Sequence, residues 1–535
     1  MSRVRLYDTT LRDGTQGEGF QLSVAEKIRV AHLLDELGIA WIEGGWPGSN
    51  PRDEAFFEVA VRERFTQARL AAFGSTRRAG VSCDDDASIQ ALLAAGTPTV
   101  TIFGKAWRFQ ATEVLGIDPE ANLELIADTV RYLKARVDEV IFDAEHFFDG
   151  AADDEAYALA ALRAAAEAGA DAVVLCDTNG GSLPHVVGER VATACAALGV
   201  SVGVHCHNDG ELAVANSLEA VRRGATHVQG TINGYGERCG NANLVSILAN
   251  LELKHGLDVV GRERLAELTH VSRMVDELSN NAPSLRQPFV GASAFAHKGG
   301  VHVHAVMKTA ASYEHVQPEA VGNDRRILVS DLSGRWNLVA KSRELGLPVD
   351  PRSAEARALV DRVKALEADG YTFEDADASL RLVLLEARGE RPTWFTVREA
   401  DVFTAIADPT RAHANGSQSA RAVLTVEIGG ELVAKVAHGN GPVDALGKAL
   451  ADVLGHAYPA IRHVRLVDYK VRIMDSADGV SAAVRVFIRA SDGESSWGTV
   501  GVSTNLIEAS WRALVDLFEH KLSITHATPA VAAAS

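Results

Sequence analysis

Eight short runs of β-branched and apolar residues punctuate the first ~255 positions: Val4–Asp8, Ala40–Gly44, Leu70–Gly74, Thr99–Phe103, Glu139–Asp143, Ala172–Asp177, Ser201–His205 and Val228–Asn233. Their spacing is that of βα units. Between them, apolar positions recur at helical intervals. Ser23 to Glu26 forms a capping box, Val24, Ile28, Ala31, Leu34 and Leu37 then share one face, and Gly38 ends that helix. Eight such units predict a closed (β/α)8 barrel, an α/β fold. A doubly wound open sheet is the alternative, and it is weakened because no GxGxxG follows any of the runs. Polar residues collect where the runs end: Arg12 and Asp13, Glu43, Ser75 and Thr76, Lys105, Glu145, Thr178, His207 and Asn233. Barrel active sites are built from those ends.

Beyond Leu251 the pattern turns helical, with a glycine- and histidine-rich stretch from Ala296 to His304. From about Arg391 it turns to alternating strands at Arg421–Ile428, Leu432–Ala437, Val464–Ile473, Ala482–Arg489 and Gly498–Val502, with helices at Gly441–Leu454 and Leu506–Phe518. A strand-and-helix module used twice predicts an α+β domain. The expected organisation is a barrel over 1–270, a helical linker region over 271–390, the α+β domain over 391–526 and a disordered tail over 527–535. A mobile loop is expected between Asp408 and Ser419.

Composition narrows the partners. The formal net charge is −18 with no basic run, which argues against nucleic acid. No apolar stretch reaches membrane-spanning length, and the first residues read as a strand, so a cytoplasmic protein is expected. Five cysteines without a CxxC pair support neither a disulfide framework nor a thiolate zinc site.

Val204-His-Cys-His-Asn-Asp209 closes the seventh run. With a side-chain period of two, His205 and His207 face one way and Cys206 the other. Asp13 follows the first run, and Glu237 and Asn241 follow the eighth. Closure of a barrel makes the first, seventh and eighth strands neighbours. Asp13, His205, His207 and Asn241 are therefore expected to converge on a divalent ion such as Mg, Mn or Zn.

Leu-Arg-Asp-Gly-Thr-Gln from Leu11, Phe-Asp-Ala-Glu-His from Phe142, Cys-Asp-Thr-Asn-Gly from Cys176, the histidine motif and Gly-Glu-Arg-Cys-Gly-Asn-Ala-Asn from Gly236 occur in that order. Together they resemble the 2-isopropylmalate, homocitrate and citramalate synthases, whose metal-dependent barrel is shared with 3-hydroxy-3-methylglutaryl-CoA lyase. The resemblance spans nearly the whole chain. Ile42–Pro51 and Phe142–Gly150 look like the citramalate synthase branch in particular. This implies condensation of acetyl-CoA with pyruvate and water to give citramalate and CoA, for isoleucine synthesis. Such a reaction chelates a 2-oxo acid to the metal and stabilises charge on its keto oxygen. It also needs a base for the thioester methyl, for which Glu145 and the histidines are candidates by residue type.

By motif position the resemblance implies Asp13, His205 and His207 as metal ligands with Asn241 in support, Arg12 at the keto oxygen, Thr178 at the substrate carboxylate and Glu145 in the catalytic centre. Phe103 and Asp143 are counted as substrate contacts. His302, in a GVH motif resembling the family's GIH, becomes the favoured base with Tyr313 assisting, delivered to a partner's barrel in a domain-exchanged homodimer. Two departures stand out: His304 where many relatives carry Asp, and Asp143 where some carry a bulky pocket residue. Gly439–Asp444 and Gly501–Glu508 resemble a regulatory domain that binds an amino-acid effector, with Gly441 and Ser503 at the two strand-to-helix joints. The rival readings are the same chemistry on 2-oxoisovalerate, a retro-aldol lyase, and a catalytically dead sensor.

Overall fold

In a computed structural model of the chain, eight parallel strands close into a barrel in sequential order. They are β1 (Arg5–Asp8), β2 (Trp41–Gly45), β3 (Arg69–Ser75), β4 (Thr99–Lys105), β5 (Glu139–Glu145), β6 (Ala172–Asp177), β7 (Ser201–Cys206) and β8 (His227–Gly230). The structure describes residues 3–329, 335–404, 420–474 and 482–525. The chain divides into two units, Met1–Phe295 with His315–Arg325, and Ala296–Glu314 with Arg326–Ser535. The expected tail over 527–535 and the expected loop between Asp408 and Ser419 lie outside the described residues.

Closure is made by β1 against β8, with Tyr7 opposite Gln229 and Asp8 opposite Gly230. Tyr7, Trp41, Ala71, Ile141, Ala172, Val174 and Cys176 fill the interior. The opposite faces of the strands meet the helices in a larger core that includes Cys206. The eighth strand stops at Gly230, three residues before the expected Asn233. There the chain leaves the sheet: Thr231 bridges to Asn243, and Asn233 takes a left-handed backbone at φ 61°. β3, β4 and β5 each run further than their apolar cores, so Ser75, Lys105 and Glu145 are strand residues and not loop residues.

The helix Val24–Leu37 begins with the capping box, Ser23 N donating to Glu26 Oε2 at 2.7 Å, and ends on Gly38 at φ 92°. Its buried Lys27 donates from Nζ to Asp53 Oδ1 at 2.5 Å and to the Gly44 carbonyl at 3.0 Å. Asp53 Oδ2 accepts Trp46 N at 2.8 Å and Asn50 Nδ2 at 3.0 Å, which ties the segment after β2 to the barrel wall.

The segment 271–390, expected as helical linker subdomains, divides between the two units. Helix Leu268–Leu278 packs on helix Val24–Leu37 in the barrel unit, whereas helices Ala354–Ala368 and Asp377–Ala387 belong to the second unit. The second unit holds two antiparallel three-stranded sheets, Thr396–Thr404 with Ala420–Ile428 and Glu431–Gly439, and Arg465–Ile473 with Val484–Ser491 and Ser496–Ser503. Each is followed by a helix, Pro442–Ala457 and Leu506–Ile524. The repeated module is thus present, with one strand the hydrophobic pattern did not reveal. Thr396–Thr404 is an edge strand with charged, mostly exposed residues, so it lacks the alternation that marks a half-buried strand.

Candidate metal and active site

At the C-terminal ends of the strands, Asp13, His205 and His207 bring one ligand atom each to within 4.8 Å of one another, and all three are buried. His205 Nε2 lies 3.2 Å from Asp13 Oδ2 and 3.4 Å from His207 Nε2. Two imidazoles and a carboxylate suit a borderline divalent ion. Two further observations fit such an ion. Asn241 Oδ1 is buried with no hydrogen-bond partner among the described residues, while its Nδ2 donates to the Tyr235 carbonyl at 3.1 Å. Asn241 also bridges His207 through the backbone, which sets it beside that ligand. A buried acceptor left open in this way ordinarily marks a missing donor or cation.

The electrostatics agree. Burial disfavours the Asp13 charge, yet Arg12 and the hydrogen bond with His205 outweigh it and hold the carboxyl well below the ordinary range. Burial opposes protonation of His205, but the Asp13 hydrogen bond and charge prevail and raise its pKa. His207 is pushed down to about 4 by burial and by neighbouring His205, so it stands neutral and ready to coordinate.

Arg12 is clamped over the pocket. Its Nε donates to Glu43 Oε1 at 2.5 Å, its Nη1 lies 3.1 Å from Asp13 Oδ1, and its guanidinium sits 3.6 Å from the Phe73 ring centre. Glu43 is fully buried and also accepts from Tyr7 Oη at 2.7 Å. Phe73 stacks on Phe103 at 5.5 Å, and Trp46 meets both rings edge-on at 5.6 Å. Arg12, Asp13, Trp46, Phe73 and Phe103, with Asp143, Glu145, Thr178, Glu237 and Arg238, line a cavity of about 230 Å³. Glu145 pairs with Lys105. Thr178 Oγ1 accepts His146 N at 2.9 Å, and its carbonyl accepts from Arg238, which also grips Asp209.

The barrel unit therefore brings together Arg12, Asp13, Phe103, Asp143, Glu145, Thr178, His205 and His207, with Asn241 beside them. His302 and Tyr313 belong to the second unit. There they are exposed and stacked on each other at 4.1 Å, and His304 stacks on Trp336 at 4.7 Å. Gly441 caps helix Pro442–Ala457 in extended backbone, and Ser503 Oγ donates to Glu508 Oε2 at 2.6 Å at the other joint. Sequence reasoning missed the aromatic wall of Trp46 and Phe73, the Glu43 clamp and the Lys105 pairing. It also missed Gln229, which touches both His205 and Asp143. Glu43 and Lys105 were visible as strand-end polar residues; Gln229 carried no signal beyond being a polar residue within a strand.

Residues 3–275 match the HMGL-like family, residues 289–370 the homocitrate synthase post-HMGL domain-like family, and residues 376–522 the LeuA allosteric (dimerisation) domain. The chain is 49% identical to an (R)-citramalate synthase of Geobacter sulfurreducens over 98% of each chain. It is 50% identical to one of Aquifex aeolicus over 97% of this chain and 98% of that one. A probable 2-isopropylmalate synthase of Methanopyrus kandleri is 34% identical over 96% of this chain and 97% of that one.

Proposed function

The chain belongs to the (R)-citramalate synthase family of HMGL-like barrel enzymes, and on that premise we propose that it condenses acetyl-CoA with pyruvate and that Asp13, His205 and His207 hold the divalent ion this requires. The acetyl methyl loses a proton to a base and forms a carbon–carbon bond to the keto carbon. Water then cleaves the thioester, releasing CoA and citramalate. The observation that carries this reading is the Arg12 guanidinium, fixed by Glu43 and Asp13 in the cavity that contains the histidine pair. A bound divalent ion polarises the keto group of the 2-oxo acid.

Arg12 then meets the oxygen on which charge develops, already oriented and largely shielded from water, where a fixed cation is most effective. Thr178 receives the substrate carboxylate, and Glu145, with its Lys105 partner, belongs to the catalytic centre. Phe103 walls the acyl acceptor. Asn241 supports the ligand set. His302, assisted by Tyr313, takes the methyl proton at the partner's site of a homodimer. Residues from Arg391 onward bind an amino-acid effector, most directly isoleucine, through the joints at Gly441 and Ser503. Among the described residues no helix is long and apolar enough to cross a membrane; a cytoplasmic location is part of this proposal and rests on the biosynthetic role.

The test is CoA release across a panel of 2-oxo acids. Pyruvate is expected to give the highest kcat/KM, with 2-oxoisovalerate excluded by the aromatic wall. A higher kcat/KM for 2-oxoisovalerate overturns the substrate assignment. The identity gap between the two groups of relatives favours pyruvate.

A further inference from the structure

Gln229 is fully buried on β8 and has no place in the chemistry assigned above. Its Oε1 lies 2.8 Å from His205 Nδ1, and its Nε2 lies 2.9 Å from Asp143 Oδ1 and 3.4 Å from His227 Nε2. The bond donated by Nε2 to the Asp143 carboxyl oxygen sets the NH2 group on that side of the amide. The amide oxygen must then face His205, and only a ring with hydrogen on Nδ1 can donate to it. The other nitrogen, Nε2, is the one that faces Asp13 and His207.

We propose that Gln229 is a positioning residue that, anchored by Asp143 and His227, keeps the hydrogen of neutral His205 on Nδ1 and so leaves the Nε2 lone pair directed at the metal site. The proposal rests on the metal reading above and deepens it. Without Gln229 the neutral ring has an alternative tautomer, in which Nε2–H donates to Asp13 Oδ2 3.2 Å away. That internal hydrogen bond occupies both ligand atoms at once and competes with any ion. The outer partner of a metal-bound histidine fixes the tautomer and ring orientation in this manner, and its loss typically costs about 10–100-fold in affinity or activity. The inference also gives Asp143 a task other than selecting the 2-oxo acid. Its Oδ1 holds the amide, even though the residue lines the cavity.

The experiment uses the full chain with Gln229→Met, which keeps length and removes the polar contacts to His205, Asp143 and His227. Mn affinity is measured by competition with a chromophoric chelator. The His205 tautomer is read in the metal-free protein from imidazole 15N shifts at alkaline pH, where the ring is neutral. The expected result is Nδ1–H in the wild type, a population shifted to Nε2–H in the variant, and a Kd for Mn raised about 10–100-fold. At saturating Mn the KM for pyruvate should stay within about twofold, since the amide touches no substrate group. The double variant Gln229→Glu/Asp143→Asn reverses the polarity of one link yet still presents an acceptor to Nδ1, so it should recover most of the affinity and the Nδ1–H tautomer. It also answers if Gln229→Met does not fold. A variant with unchanged tautomer and Mn affinity, or a double variant that folds and binds no better than Gln229→Met, overturns the proposal. A wild-type protein that binds no divalent ion overturns the metal reading instead.

Discussion

Replacing Asp53 by Asn strips a buried ammonium of its counter-ion. Lys27 is 1% exposed, and among the described residues its Nζ donates only to Asp53 Oδ1 at 2.5 Å and to the Gly44 carbonyl at 3.0 Å. Breaking one half of a buried pair costs about 3–5 kcal/mol. Lys27 can escape the unpaired charge by losing its proton, at about 1.4 kcal/mol per pH unit below its ordinary value near 10.4. That escape caps the charge penalty at about 4.6 kcal/mol at pH 7 and about 1.9 kcal/mol at pH 9. Burial already lowers the Lys27 pKa in the intact pair, with Asp53 opposing, and removal of Asp53 lowers it further. The unfolded chain then binds more protons than the folded one, so the stability of Asp53→Asn rises with pH relative to the wild type. Urea unfolding of the full chain, followed by circular dichroism, should give a loss of about 3–5 kcal/mol at pH 7 that shrinks to about 2 kcal/mol at pH 9. Since Asp53 also holds the Trp46 backbone, the KM for pyruvate should rise in the same variant. An equal loss of stability at both pH values refutes the unpaired cation as its origin.

Chelation should abolish CoA release and added Mn or Mg should restore it; full activity of metal-free protein contradicts the site. Mn affinity measured against pH should fall up to tenfold per unit once the pH drops below the raised pKa of His205, because a proton must leave the ring before it can coordinate. Mixing inactive His302→Ala with inactive Arg12→Ala under subunit exchange should restore part of the activity, and no recovery despite proven exchange counts against a shared site. Ser503→Ala removes the hydrogen bond to Glu508 and should weaken isoleucine inhibition several-fold, a coupling of about 1–3 kcal/mol, with uninhibited kcat largely retained; calorimetry that detects no isoleucine binding to the wild type rejects an isoleucine-responsive domain.

The barrel was legible because each strand is an apolar run long enough to be distinguished from the helix that follows. The convergence of Asp13, His205 and His207 was legible for a related reason: each sits inside a local motif, and closure of the barrel joins β1, β7 and β8. What could not be read depends on register across strands. Gln229 meets His205 because those residues are paired between β7 and β8, and it reaches Asp143 across the barrel interior. No spacing along one segment encodes either contact. The packing of Trp46 against Phe73 and Phe103 is likewise set by three different strand ends, and the residues look like ordinary core aromatics in sequence. The extent of β8 was overread because Thr231 and Ile232 suit a strand, whereas the bridge to Asn243 pulls them out of the sheet. The exposed edge strand Thr396–Thr404 was missed because only Val397 and Val402 pack against the core, while charged and exposed residues occupy most of its length.

The seam between β1 and β8 also sets a timetable. Protein synthesis delivers Asp13 with the first strand and the two histidines only after the seventh has been made. On the proposed metal reading, a growing chain that stops short of that point possesses one ligand and a row of unpaired strand edges, and it can gain nothing from the ion. Binding energy therefore arrives late, as a reward for completing the ring and not for assembling any half of it. Contacts that join distant parts of a chain are the slow ones to form. If the proposed metal site holds, a shortage of the ion would deprive the finished barrel of its activity while leaving the early stages of its folding untouched.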